Sequence, residues 1–185
     1  HCHTRRQRQM CIRDSTIADS EGGEPKELLA ALESYDDFTQ GRSSAAPELA
    51  SLSRFQTNKN EGLLLKNVDT VVSRIERFSD SDQEAIRTCL GIIISGQILD
   101  LNRFSLDAED ISCIEKNDEL DDYAYRVAGS VGEFWTRMSL AHLFKLDSEK
   151  ESELFENSVK FGKSLQMINI LRDIPAAVSY THLRA

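Results

Sequence analysis

The chain has 185 residues, a formal net charge of -9, 40% hydrophobic and 29% charged residues. That length supports one domain with a sizeable core, and the composition excludes wholesale disorder. The acidic balance argues against a nucleic-acid partner, which would need clustered Lys and Arg, and the longest apolar stretch, Cys89 to Leu99, falls well short of the roughly 20 residues that span a bilayer.

In chain order, the head "HCHTRRQRQMCIRDS" (1–15) is basic and lacks apolar periodicity. The tail "AVSYTHLRA" (177–185) has no cap, turn signal or amphipathic pattern. Both resemble sequencing-library adapter translated in frame, so they are expected to be scars to leave out of fold reasoning, and "HCH" with Cys11 is not read as a metal site. Leaving out the five basic residues and one acidic residue of these ends from the 22 and 31 of the whole chain gives 16–176 a net charge of -13. The four cysteines, Cys2, Cys11, Cys89 and Cys113, have neither metal-ligand spacing nor a secretory signal ahead of them, so reduced thiols in a cytoplasmic protein are expected.

Between the ends the periodicity is helical almost throughout, which predicts an all-α fold. Pro25 suits the first turn of a helix through "KELLAALESY". The stretch "EGLLLKNVDTVVSRIERF" predicts one amphipathic helix with Leu64, Val68, Val71, Val72 and Ile75 on its apolar face. Ser81 with Glu84, and Ser148 with Glu151, have capping-box spacing and predict helix starts there. "LGIIISGQIL" is apolar nearly all round and predicts a central helix, thinned on one side by Gly91, Ser95 and Gly96 for close packing. A further long helix is predicted over "DELDDYAYRVAGSVGEFWTRMSLAHLF", with its acidic run Asp118–Asp122 as a solvated start favoured by the helix dipole.

Two stretches carry candidate chemistry. In "YAYRVAGSVGEFW" (Tyr123–Trp135), Gly129 and Gly132 interrupt a helix at a cost of about 1 kcal/mol each relative to alanine. Their small profile admits either another helix backbone or a long apolar ligand, while Tyr123 offers a phenol. In "GKSLQMINILRD", Gln166, Asn169 and Asp173 recur at spacings of three and four, so they share one helix face. That face is either a solvated polar stripe or an oxygen-donor set of the kind that suits Mg²⁺, with Arg172 placed to meet a phosphate. His142 is expected to be packing or surface, and Cys89 and Cys113 to be inert.

Together, in this order and about thirty residues apart, "YAYRVAGSVGEFW" and "FGKSLQMINILRD" resemble the squalene/phytoene synthase family. In it a Tyr-x-x-x-Val-Ala-Gly-x-Val-Gly helix precedes a Gly-x-x-Leu-Gln-x-x-Asn-Ile-x-Arg-Asp helix. "TIADSEG" is similar to the end of the family's first aspartate motif, so the likeness runs from Thr16 to Ala176. The resemblance implies an isoprenoid synthase-type helical bundle that joins two prenyl diphosphates head to head. It implies that Asp19, Asn169 and Asp173 hold Mg²⁺ against diphosphate and that Gln166 and Arg172 line the same pocket. Tyr123 would assist proton transfer or steady a carbocation, and Val127 and Gly129 would border the prenyl chains. Squalene formation from two farnesyl diphosphates through presqualene diphosphate is the expected reaction, with NADPH for the reductive step; phytoene or dehydrosqualene formation is the alternative product. The greasy substrate and product make peripheral membrane association an expectation beside the cytoplasmic one.

Two departures stand at the suspected scars. Ser15 and Ala177 occupy the positions where the family's outer motif aspartates belong, and helices expected before and after are missing, so the chain reads as a bundle truncated at both ends that need not be active alone. A non-catalytic all-α partner subunit is the competing reading, favoured if the uninterrupted gene also lacks aspartate at those two positions.

Overall fold

The computed structural model describes residues 25–55, 59–103 and 116–182, without the side chains of residues 25, 54, 55, 61 and 173–182. The head at 1–15, Asp19 and Cys113 lie outside the described residues. The described residues are helical with no strand among them, as the sequence predicts.

Helix α1 spans Pro25–Thr39 with proline at its first position, where no backbone donor is needed. Leu28 and Leu32, one turn apart, are its buried hydrophobic residues. It ends in a Schellman motif: Gly41 takes φ 74°, its N–H donates to the Phe38 carbonyl and the Arg42 N–H to the Asp37 carbonyl. Arg42 then folds back as an ion pair onto Asp36 and Asp37.

The segment predicted as one helix after Glu61 is instead three short pieces. They are α2 (Lys59–Lys66), α3 (Val68–Val72) and a 3₁₀ turn at Ile75–Arg77. Local side-chain bonds compete with the helix here: the Asn67 amide donates to the Leu63 carbonyl and the Ser73 hydroxyl to the Thr70 carbonyl. The rearrangement also changes the buried face. Leu65, Val72 and Ile75 are buried, whereas Leu64 and Val71 are exposed.

Helix α4 (Asp80–Arg103) crosses the molecule and packs against α1 on one side. Leu28, Leu32, Leu49, Leu52, Leu65, Ile94 and Leu101 form the core that this pairing closes. A reciprocal pair of hydrogen bonds locks it, Gln40 Nε2 donating to the Arg87 carbonyl and Arg87 Nη1 to the Thr39 carbonyl. The small residues of α4 do not thin a single side. Gly91 faces Gln40 of α1, whereas Gly96 faces Arg126 and Val127 on the opposite neighbour. Its start is set one turn-fraction earlier than predicted, since Ser79 rather than Ser81 accepts the Asp82 N–H.

Helix α5 (Asn117–Ala124) runs without a break through a π turn at Tyr125–Gly129 into α6 (Ser130–His142). After residues 143–147, α7 (Ser148–His182) returns antiparallel along α5 and α6. Asp147, not Ser148, caps it by accepting the Lys150 N–H at 3.0 Å. The acidic run at 118–122 is the exposed helix start expected, and each of Glu119, Asp121 and Asp122 meets a cation: Arg103, Lys163 and Arg126.

Candidate functional site

The contact between α6 and α7 is made backbone to backbone. A methyl group placed on Gly132 would lie 2.8 Å from the Ser158 carbonyl carbon and closer still to its oxygen. One placed on Gly162 would meet the Ala128 carbonyl in the same way, 2.9 Å from its carbon. The glycines therefore earn their helical cost through approach of the two helices, which was one of the two readings open for Gly132 in the sequence. Gly129 is part of the same contact and faces the Val159 and Lys163 side chains.

Close approach at the glycines leaves a groove of about 540 Å³ along one side of the seam. Val127, Val131 and Trp135, spaced by four on the π turn and α6, form one wall with Ser139 beyond them. Phe161, Leu165, Gln166 and Asn169 of α7 form the other. Most of the lining is apolar; Gln166 and Asn169 stand together at one end, and the small polar side chains of Thr136, Ser139 and Ser158 lie along the rest. The structure thus brings Val127, Gln166 and Asn169 into one cleft. Gln166 is buried to 7% exposure even though its side chain is polar. A second cleft of about 440 Å³ between α4 and α6 contains none of the expected site residues.

Tyr123 is buried and lies outside the groove lining. The opposed pairs Gly132 with Ser158 and Gly162 with Ala128 set an antiparallel register that places Tyr123 at the height of Gln166 and Asn169. Arg172 is exposed on α7 beyond that polar end. Asp173 follows on the same helix, with its side chain outside the described residues.

The π turn that carries Val127 is itself held on both flanks. Arg126 Nη1 donates to Ser95 Oγ at 2.9 Å and its Nε to Asp122 at 2.8 Å, tying the turn to α4 and α5. Across the turn, the Tyr125 hydroxyl donates to Glu133 Oε2 at 3.0 Å. Burial, reinforced by the Glu133 carboxylate, pushes the Tyr125 phenol above its ordinary range, so it acts as a donor and not as a base. Burial and then Glu133 raise the Cys89 thiol to about 11, which leaves it protonated and inert at neutral pH.

Sequence reasoning missed Trp135 as a groove residue, although its four-residue spacing from Val131 and Val127 was there to be read. It also missed the π turn and the Arg126 tether, for which periodicity holds no signal. His142, the only histidine between the suspected scars, is a structural partner: its Nε2 lies 2.8 Å from Asp82 Oδ1 and links the C-terminal end of α6 to the start of α4.

A family model described as squalene/phytoene synthase matches residues 8–180. No curated protein and no solved structure matches the chain significantly.

Proposed function

Because the chain belongs to the squalene/phytoene synthase family, we propose that the groove between α6 and α7 takes the prenyl chain of an allylic diphosphate and that its Gln166–Asn169 end receives the diphosphate. At the level of the family, the chemistry is head-to-head condensation of prenyl diphosphates by a prenyltransferase. The finer reading is condensation of two farnesyl diphosphates through presqualene diphosphate to squalene. The observation that carries it is the groove itself, mostly apolar in its lining and with Gln166 and Asn169 together at one end.

The donor chemistry at that end suits Mg²⁺. Asn169 offers a hard amide oxygen in the groove, and Asp173 follows one turn later on the same helix. Among the described residues no group of three or more His, Cys, Asp or Glu side chains is placed to hold a metal ion. The remaining ligands would then come from diphosphate oxygens, water and Asp19. When bound, Mg²⁺ supplies Lewis-acid neutralisation of charge on the departing diphosphate.

The chain's own groups do the rest. Asn169 and Asp173 would hold the metal in position, Gln166 would fix the diphosphate end of the substrate, and Arg172 would meet phosphate oxygens at the rim. Ionisation leaves an allylic cation, which survives only where water is excluded. Val127, Val131 and Leu165 supply the apolar surface on which the prenyl chain would lie. Tyr123, at the same height as the polar end but buried outside the groove lining, is the residue this reading assigns to proton transfer. NADPH serves the reductive step if squalene is the product, and its omission would leave the condensation product unreduced. Peripheral association with a membrane fits so greasy a substrate. No helix among the described residues is long and apolar enough to cross one.

The test is to express the full reading frame and supply farnesyl or geranylgeranyl diphosphate with Mg²⁺, with and without NADPH. Squalene formed only with NADPH supports the reading, and phytoene from the longer substrate would transfer it to the alternative product. Neither hydrocarbon nor diphosphate release from either substrate would leave the non-catalytic partner reading standing instead.

A further inference from the structure

The groove has a measurable length, and one large side chain lines its far part. From Asn169 at the polar end, α7 runs back fourteen residues to Phe155, about 21 Å at 1.5 Å per residue. The register set by the glycine contacts puts Trp135 at the height of Phe155. Arg137, half a turn further along α6, lies over the Phe155 ring at 5.7 Å, which agrees with that register.

Trp135 is 64% exposed and lines the groove. Helical side chains lean toward the N-terminus of their own helix, so the indole leans back toward the Val131 turn. The Phe134 ring packs edge-on against it at 5.6 Å and braces it from the other face of α6. Behind the indole the groove continues for another turn, lined by Ser139, Phe144 and Leu154. Trp135 thus marks the boundary between a long front part of the cleft and a short rear chamber.

We infer that Trp135 sets the length of prenyl chain the groove accepts, admitting a farnesyl group in front of the indole and obstructing a geranylgeranyl group. The inference rests on the prenyl-binding reading above. With C–C bonds of about 1.5 Å, the extended main chain of a farnesyl group reaches roughly 14 Å, close to the span of about 15 Å from Asn169 to an indole that leans back one turn. Its diphosphate extends about 6 Å further, past Asn169 toward Asp173. One more isoprene unit adds about 5 Å on the same bond lengths. That excess is about one helical turn and falls in the rear chamber that Trp135 screens.

Trp135 is the single tryptophan of the chain, so its emission reports on this position alone. The 185-residue chain is titrated, with Mg²⁺, with thiolo-diphosphate analogues of geranyl, farnesyl and geranylgeranyl chains, and affinities are measured by calorimetry in parallel. The geranyl analogue is expected to bind without shifting the emission, because it stops short. The farnesyl analogue is expected to shift it to the blue as the chain covers the indole. The geranylgeranyl analogue is expected to bind at least tenfold more weakly than farnesyl, a difference within the range that surplus methylenes impose in a hydrophobic pocket. Trp135→Ala should remove that tenfold preference, and Trp135→Phe should restore part of it. An unchanged farnesyl-to-geranylgeranyl ratio in Trp135→Ala, or the same emission with all three chains bound, overturns the inference while leaving the prenyl-binding reading intact. Failure of every analogue to bind overturns both.

Discussion

Replacing Gly132 by alanine should loosen the molecule even though alanine is the better helix former. The gain from helix propensity is about 1 kcal/mol. Against it, the new methyl would lie 2.8 Å from the Ser158 carbonyl carbon and nearer its oxygen. Those are backbone atoms of a facing helix and cannot rotate aside, so the overpacking cost belongs at the upper end of the usual range, about 3 kcal/mol. The net loss is about 2 kcal/mol, which for a domain of this size lowers Tm by roughly 4–8 °C. Gly91→Ala is the matched control, since the one tight contact its methyl would make is with the Gln40 amide at 3.0 Å, the end of a flexible side chain, with Asp36 Oδ1 at an ordinary 3.8 Å. There the propensity gain of about 1 kcal/mol is offset by strain on one Gln40–Arg87 hydrogen bond worth about as much. Its Tm should stay near that of the unaltered chain. Gly162→Ala should cost as much as Gly132→Ala, and the double variant less than the sum, because one parting of α6 from α7 relieves both clashes. The measurement is thermal unfolding followed by circular dichroism. A Gly132→Ala variant melting at or above the parent would refute the backbone-contact account of the seam.

Three further outcomes follow from the geometry. The Asp82 carboxyl is held below the usual carboxylate range, chiefly by its bond to His142 and then by Ser79. A carboxyl depressed in the folded state stabilises above its unfolded value near 4 and ceases to do so as pH falls through the lower folded value. The stability advantage over Asp82→Asn should therefore be present at neutral pH and vanish on acidification in urea titrations; an advantage that persists at the acid end would contradict the pairing. Cys89, with its thiol raised to about 11, should alkylate far more slowly at pH 8 than the same peptide after unfolding, as read by mass spectrometry, and equal rates would show the site to be open. In the enzyme from the full reading frame, Asp173→Ala should abolish turnover with helical content nearly unchanged, whereas full turnover would reduce Asp173 to a surface residue.

The all-α class was legible because most segments carry a 3.6-residue pattern and no competing alternation. Boundaries were less so. Asn67 and Ser73 broke a continuous apolar pattern with bonds to nearby carbonyls, and such bonds are set by local backbone geometry that a hydrophobic period does not encode. The caps at Ser79 and Asp147 each lay just before the residue the box spacing indicated, because several candidate caps stand side by side and only the bond itself selects one. At the site, the shared face of Gln166 and Asn169 could be read from spacing, since both lie on one uninterrupted helix. What could not be read was the partner wall. Which residues of α6 face α7 depends on the register, and the register depends on two glycine contacts between segments about thirty residues apart.

The π turn at Tyr125–Gly129 acts as a phase shifter between the two halves of one long helix. An ordinary α-helix advances about 100° per residue, so the extra peptide unit in a wide turn resets the facing of everything beyond it by about that angle. On one side of the reset, Asp121 is aimed at Lys163; on the other, Val131 and Trp135 are aimed into the groove. Deleting any one residue within the turn would restore a regular helix and swing these two sets apart. The same composition, shorter by a single amino acid, would then present either its ion pair or its apolar wall to α7, but not both.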